Sequence, residues 1–161
     1  MGNAGITLRK LEFDEIVNRW DELKLLSKKA LNDEKNVTGL GDRFQVAISR
    51  FFLLCEQETA QIWVSQENGI DCYLCLTFVG NSAMTFDKGL TIYAATKFKN
   101  NNVKDKQKHW LFFLNGICDF AKSKKCKKIS FESDLDYFHD LFKKTPLPYS
   151  YTMRNSLRIN L

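Results

Sequence analysis

The 161-residue sequence predicts an α+β fold in which one mixed β-sheet carries helices on both of its faces. The first observation is a long amphipathic helix whose apolar positions recur at helical spacing: Trp110, Phe113, Leu114, Ile117, Cys118 and Ala121. The second is strand-like alternation on either side of that helix, over residues 90–98 and 129–133, which makes a βαβ crossover. The third is Asn68-Gly69, a strong signal for a hairpin between two further strands.

Local patterns predict the elements ahead of the hairpin. Alternation indicates a strand over residues 6–11, and Asp14 is the predicted N-cap of a helix over residues 15–30. The apolar face of that helix comprises Ile16, Trp20, Leu23, Leu26 and Leu31. Residues 32–42 are polar and glycine-containing, which predicts a loop. A second helix follows over residues 43–55, with an apolar face of Phe44, Ile48, Phe51, Phe52 and Cys55.

The hairpin and the crossover account for most of the remaining chain. The hairpin strands are predicted over residues 61–65 and 70–79, and strict alternation gives the second strand one face of Ile70, Cys72, Leu74, Leu76 and Phe78. Residues 80–89 turn the chain into the strand of the crossover. Five lysines between positions 122 and 128 suit the end of the long helix, because cations stabilise a helix C-terminus. A short helix over residues 135–144 and two short strands over residues 151–161 complete the predicted order.

Composition and charge set the class of protein. With 44% hydrophobic and 27% charged residues, we expect one globular domain over residues 1–161. The net charge of +5 permits an anionic partner without selecting one. No run approaches the roughly 18–20 apolar residues of a membrane span, and the first residues lack a signal-peptide pattern. We therefore expect a cytoplasmic protein with no membrane partner and five reduced cysteines.

Cys72 and Cys75 form a Cys-x-x-Cys pair. Residues three apart in a regular strand point to opposite faces, so these two thiols are not expected to bind the same ion. A zinc site of this type also needs two further ligands, and the sequence has no second pair. We therefore predict buried thiols and no metal site.

Two stretches resemble the GNAT fold, the fold of the Gcn5-related N-acetyltransferase superfamily. Residues 6–9 with residues 13–16 are similar to the family's opening strand and helix start. The run from Ala121 to Glu132 is similar to its helix-turn-strand segment. The predicted element order extends the resemblance over nearly the whole chain. Small GNAT-like proteins encoded by bacteriophages look similar, so a phage origin is a narrower form of the same hypothesis.

The resemblance implies an acyl-CoA-dependent N-acyltransferase that acts on an amine-bearing acceptor. Acetyl-CoA or coenzyme A would lie between Thr96 and His109, and lysines would attract its phosphates: Lys104, Lys106 and Lys108. The alternative for these lysines is a solvated loop, and for His109 a surface position at the start of the helix.

Two acidic residues where the last strand of the crossover ends are candidates for the general base. Glu132 or Asp134 would take the proton from the amine, as an N-acyltransferase requires. Asp134 has an alternative role as the N-cap of the predicted helix over residues 135–144.

The sequence departs from the GNAT pattern at two places. The family's glycine-rich turn, in which backbone N–H groups surround the pyrophosphate, falls on residues 105–110, where Lys108 and Trp110 occupy the glycine positions. Phe142 stands where the family tends to place a tyrosine general acid. The alternative hypothesis is therefore a catalytically silent GNAT-like module with a structural or protein-interaction role.

A third hypothesis is nucleic-acid binding through the lysines. Residues 122–128 could contact phosphates, but no aromatic residue interleaves the run to stack on bases. We therefore do not expect a nucleic-acid partner.

Overall fold

A computed structural model describes residues 5–33, 44–98 and 106–131, and the structural statements below concern these residues. In this part of the chain five strands form one sheet in the order β1-β2-β3-β4-β5: Ile6–Lys10, Ala60–Glu67, Ile70–Asn81, Lys88–Lys97 and Lys128–Phe131. The helices, in chain order α1 to α4, are Phe13–Asn18, Trp20–Asp33, Phe44–Glu56 and Lys106–Ser123. Neighbouring strands from β1 to β4 are antiparallel, whereas β4 and β5 are parallel. This arrangement confirms the predicted α+β fold with a mixed sheet.

The β2–β3 hairpin turns at Asn68-Gly69, as the sequence predicts. Both residues have positive φ angles, 53° at Asn68 and 80° at Gly69. Tight hairpin turns need this left-handed backbone, which asparagine tolerates and glycine adopts without strain. The Asn68 backbone N–H also donates to the Gly5 carbonyl oxygen over 2.8 Å. The turn therefore links the hairpin to the start of β1.

Two β-bulges interrupt the regular pairing of the sheet. The β2–β3 register shifts after Ser65, which leaves Cys72 as the extra residue of β3. The β3–β4 register shifts after Leu76, which leaves Tyr93 as the extra residue of β4. An extra residue reverses the alternation of side chains on the strand that carries it. The faces of β3 and β4 therefore change at these two points.

The single face predicted for residues 70–79 is wrong because of the bulge in β3. Leu74 and Leu76 pack in the core with α2 and α3, whereas Cys72 packs in the core with α4. Cys75 belongs to the same α4 core as Cys72. The expectation that these two thiols occupy opposite faces fails for the same reason, since it assumed strict alternation.

The first predicted helix is divided into α1 and α2 at Arg19. The Arg19 backbone, with φ −108° and ψ 16°, leaves the helical region between the two segments. Glu12 rather than Asp14 is the N-cap residue, without a side-chain cap hydrogen bond, so the predicted Asp14 cap is wrong. The inward positions Ile16, Leu23 and Leu26 are buried as predicted.

The sheet separates two hydrophobic cores, because consecutive residues of a strand point to opposite faces. On the first face, which we call the α2/α3 face, the largest buried side chains include Leu23, Ile48, Ile62, Leu74 and Leu76. On the second, the α4 face, they include Trp63, Leu90, Phe113 and Ile117. A buried series of hydrogen-bonded polar side chains also lies on the α4 face.

These hydrogen-bonded side chains connect β2 and β3. Trp63 Nε1 donates to Thr77 Oγ1 over 2.9 Å, and Thr77 Oγ1 donates to Gln61 Oε1 over 2.7 Å. Gln61 Nε2 in turn donates to the Glu58 carbonyl oxygen over 3.0 Å. Each of these buried polar atoms therefore has a partner, which avoids the cost of an unsatisfied group.

The β4–α4–β5 crossover forms where the sequence predicts it. Beyond Ser123, Lys125 adopts a left-handed φ of 61°, and the Cys126 backbone N–H donates to the Ala121 carbonyl over 2.8 Å. Such a left-handed residue ends a helix and reverses the chain into the next element. No described helix is long and apolar enough to cross a membrane. The elements predicted over residues 135–144 and 151–161 lie outside the described residues.

Candidate functional site

The start of α4 lies above one end of the sheet, at which β2 ends, β3 begins and β4 ends. Tyr73 at the start of β3 pairs with Lys97 at the end of β4 and with Ser65 near the end of β2. Ser65 is in turn hydrogen-bonded to His109 in the first turn of α4. Because β4 and β5 are parallel, their carboxyl ends point to this same edge. In open α/β sheets the carboxyl edge of parallel strands is where ligands bind.

The predicted phosphate-binding lysines lie partly within this region. Lys106 is exposed and Lys108 is half-buried, both in the first turn of α4. Lys104 lies outside the described residues, as do the predicted catalytic residues Glu132 and Asp134, which follow β5 in the sequence.

Thr96 and His109, the two residues predicted to flank the cofactor, lie on opposite faces of the sheet. Thr96 is buried and pairs with Leu74, whose side chain belongs to the α2/α3 core. His109 is fully buried on the α4 face. Directly opposed residues of neighbouring strands share a face, so the sheet separates Thr96 from His109. The structure does not bring these two side chains together.

His109 makes two polar side-chain contacts on the α4 face, one from each ring nitrogen. Its Nδ1 lies 2.9 Å from Ser65 Oγ, and its Nε2 lies 3.3 Å from Glu67 Oε2. The Tyr73 ring lies 5.4 Å from the His109 ring, centroid to centroid. The alternative of a surface histidine is therefore wrong. His109 stands four residues before Phe113 on the same helical stripe, and this spacing was the signal for its burial.

Three residues of the β2–β3 hairpin surround His109 and were not predicted from the sequence: Ser65, Glu67 and Cys72. Cys72 reaches this position because the β-bulge turns it toward α4. One ligand atom each from Glu67, Cys72 and His109 lie within 4.8 Å of one another. We call Glu67, Cys72 and His109 the hairpin–helix cluster.

The chemistry of the cluster is set by burial. Ser65 and His109 are fully buried and Cys72 is nearly so, whereas the Glu67 side chain is 44% exposed. A serine beside a histidine resembles an activated nucleophile, but a hydroxyl with no exposed surface cannot reach a substrate. Burial also raises the pKa of the Tyr73 hydroxyl. The cluster can therefore hold protons or an ion but cannot attack a substrate.

A second polar group joins the α1–α2 junction to β3. Arg19 Nη2 donates to Asp71 Oδ2 over 2.6 Å, and Gln66 Nε2 donates to Asp71 Oδ1 over 2.7 Å. Burial lowers the pKa of Arg19, but hydrogen bonds and charges from Asp71 and Glu22 outweigh it and raise the pKa. These groups are all engaged with one another, so we interpret them as structural.

Comparison with known proteins gives the fold a wider context. No protein-family model and no curated protein match the sequence. An aminoglycoside acetyltransferase from an uncultured soil metagenomic sample, in complex with trehalose, superposes with a TM-score of 0.62 at 12% identity, covering 99% of both chains. A predicted acetyltransferase from Clostridium acetobutylicum with acetyl-CoA superposes with a TM-score of 0.61 at 15% identity, covering 96% of both chains.

A third solved structure carries the family name. It is a GNAT family acetyltransferase from Staphylococcus aureus, with a TM-score of 0.57 at 13% identity, and the match covers 97% of this chain and 99% of the other. Identities this low establish the fold and not the activity. The chain therefore has the fold of the GNAT acetyltransferases, carried by a divergent sequence.

Proposed function

We propose that this protein is a divergent acyl-CoA-dependent N-acyltransferase. The observation that carries the proposal is a β-bulge at Tyr93 of β4, within the β4–α4–β5 crossover. The preceding residue, Ile92, pairs with Phe131 of β5. A bulge leaves strand backbone groups outside the regular ladder, where they are available to a ligand. This bulge faces the carboxyl end of β5, the edge at which ligands bind to such sheets.

The cofactor's phosphates are assigned to lysines at the start of α4. Lys104, Lys106 and Lys108 act as point charges in place of a glycine-rich turn, and the positive end of the α4 dipole adds to their attraction. The acetyl-CoA in the Clostridium structure supports a cofactor of this type. Thr96 and His109 are buried on opposite faces, so we assign neither of them to the phosphates.

The proposed reaction joins an acceptor amine to the acyl group of the thioester. Glu132 or Asp134 takes a proton from the amine, which then attacks the carbonyl carbon. A C–N bond forms, the C–S bond breaks, and the coenzyme A thiolate leaves and is protonated. Most of the rate enhancement would come from holding amine and thioester together.

The test is calorimetric titration of acetyl-CoA and coenzyme A into the full chain and into a Lys106→Ala/Lys108→Ala variant. We expect binding by the wild type and an affinity at least about tenfold lower in the variant, or ~1.4 kcal/mol. Mass spectrometry of a panel of amines incubated with acetyl-CoA and the protein then measures acyl transfer.

The matched control is Lys124→Ala/Lys125→Ala, which removes the same charge beyond the opposite end of α4. An equal loss of affinity in both variants would mean that net charge, and not a site at the start of α4, attracts the cofactor. Absence of binding at millimolar acetyl-CoA would refute the acyltransferase and leave the silent module. Binding without acylation of any amine would also favour that module, with coenzyme A as its ligand.

A further inference from the structure

We propose that the hairpin–helix cluster, Glu67, Cys72 and His109, is a binding site for a divalent transition-metal ion, with Zn²⁺ as its preferred occupant. The cluster supplies one carboxylate oxygen, one sulfur and one imidazole nitrogen within 4.8 Å of one another. Cys, His and Asp/Glu side chains are the ligands that Zn²⁺ binds in proteins. The site uses none of the proposed cofactor lysines as ligands, although Lys108 precedes His109 in the first turn of α4, and it does not depend on acyl transfer.

The distances in the cluster are compatible with one tetrahedral ion. His109 Nε2 lies 3.3 Å from Glu67 Oε2. Two ligands each about 2.0 Å from a tetrahedral Zn²⁺ stand roughly 3.3 Å apart, and a sulfur and a nitrogen stand roughly 3.5 Å apart. The imidazole and carboxylate therefore already have the required separation, and Cys72 Sγ lies within 4.8 Å of both.

The second ring nitrogen of His109 is held as a metal-binding histidine requires. Nδ1 lies 2.9 Å from Ser65 Oγ, which fixes the orientation of the ring and leaves Nε2 directed toward Glu67. A partner on the second nitrogen is a nearly constant feature of metal-ligating histidines. Ser65 is fully buried, so this hydrogen bond does not compete with solvent.

Charge balance also favours an ion at this position. The Cys72 thiol now donates to the Ile70 carbonyl oxygen over 3.3 Å. On binding it would release one proton to solvent and become a thiolate, so thiolate and carboxylate together neutralise the divalent ion. Three protein ligands leave a fourth position for water on the exposed side of Glu67, the pattern of an open zinc site.

The ligands would join elements distant in the sequence. Glu67 and Cys72 flank the tight turn of the hairpin, and His109 lies in the first turn of α4. A bound ion would thus fasten the start of α4 to the hairpin.

The experiment adds Co²⁺, and separately Zn²⁺, to metal-free full-length protein under reducing conditions. We expect one equivalent of Co²⁺ to produce a thiolate-to-cobalt charge-transfer absorption band, and Zn²⁺ to displace it and raise the Tm. Competition with a chromogenic chelator measures the Zn²⁺ affinity.

Two matched serine substitutions test the assignment. Cys72→Ser should abolish the charge-transfer band and weaken Zn²⁺ binding more than about 100-fold. Cys75→Ser, in the same strand and core, should leave the band and the Zn²⁺ affinity unchanged. Ser65→Ala should weaken Zn²⁺ binding about 10- to 100-fold and leave the band in place. Glu67→Gln is the ligand variant least disturbing to folding, because its side chain is part-exposed, and it should also lose affinity.

Circular dichroism verifies that each variant folds. The proposal is overturned if the wild type gives no charge-transfer band, if the band survives Cys72→Ser, or if Cys75→Ser removes it equally. Zn²⁺ binding that is unchanged by Glu67→Gln and Ser65→Ala together would also contradict it, since the ion would then lie elsewhere.

Discussion

At the scale of single residues, buried thiols link stability to alkaline pH. Burial raises the pKa of the Cys55 thiol from 9.0 to about 12, and burial also raises the pKa of Cys75. In the unfolded chain these thiols ionise near pH 9, whereas in the folded protein they keep their protons. The folded state then binds more protons than the unfolded state, so its stability falls as the pH rises above about 9.

Replacing Cys55 by alanine should reduce this alkaline loss of stability. Between pH 9 and 11 the free energy of unfolding of the wild type should fall more steeply, by up to about 1.4 kcal/mol per pH unit for this thiol. Urea denaturation at a series of pH values measures both slopes. Cys126→Ala is the control, because that thiol is only partly buried and its removal should change the slope less. Identical slopes for wild type and Cys55→Ala would contradict the linkage.

At the scale of elements, the Leu8 side chain of β1 packs against α4 where Gly116 has no side chain. A Cβ at this position would lie 2.3 Å from Leu8 Cδ2, well inside van der Waals contact. Glycine in a helix interior costs about 1 kcal/mol of stability relative to alanine. The close packing of Leu8 that Gly116 allows offsets this cost. Gly116 therefore leaves the space that the Leu8 side chain of β1 occupies against α4.

A larger residue at Gly116 should displace the Leu8 side chain from its packing against α4. We expect Gly116→Val to lower the free energy of unfolding by about 1–3 kcal/mol, as overpacking does. The double variant Leu8→Ala/Gly116→Val removes the methyl group that clashes, so its loss should be smaller than the sum of the two single losses. Chemical denaturation of the four proteins gives the coupling energy. Strictly additive losses would show that Leu8 and Gly116 are not in contact.

At the scale of the whole molecule, one sheet supports two cores. Leu23 on the α2/α3 face and Ile117 on the α4 face are both fully buried, in cores separated by the sheet alone. The middle strands contribute side chains to both faces, so neither core can lose its packing without disturbing the strands of the other. We therefore expect the two faces to unfold together.

Two core substitutions, one on each face, test this cooperativity. Leu23→Ala and Ile117→Ala should each lower the free energy of unfolding by about 2–5 kcal/mol and move one shared transition. Tryptophan fluorescence reports on Trp20 on one face and on Trp63 and Trp110 on the other, and its transition should coincide with that of far-ultraviolet circular dichroism in every variant. Separate transitions in either variant would indicate two independently stable units.

Much of the fold was predictable because its signals are local. The stripe from Trp110 to Ala121 gives α4 its buried face, and Asn68-Gly69 supplies the positive φ angles of the hairpin. The prediction of an Asp14 cap is wrong because the helix begins at Phe13, two residues before the predicted start, and the predicted single helix also breaks at Arg19. Arg19 leaves the helix where its side chain pairs with Asp71, a residue far away in the sequence.

Local sequence patterns predict the described helices and strands in their observed order, apart from the break at Arg19, since helical spacing and strand alternation depend on neighbours along the chain. Tertiary structure alone decided where the alternation fails. The bulge at Cys72 exists because β2 and β3 pair in two registers, and periodicity within one strand carries no information about its partner. The same holds for His109, whose partners Ser65 and Glu67 lie more than forty residues away. Their meeting required the sheet to place the hairpin under α4.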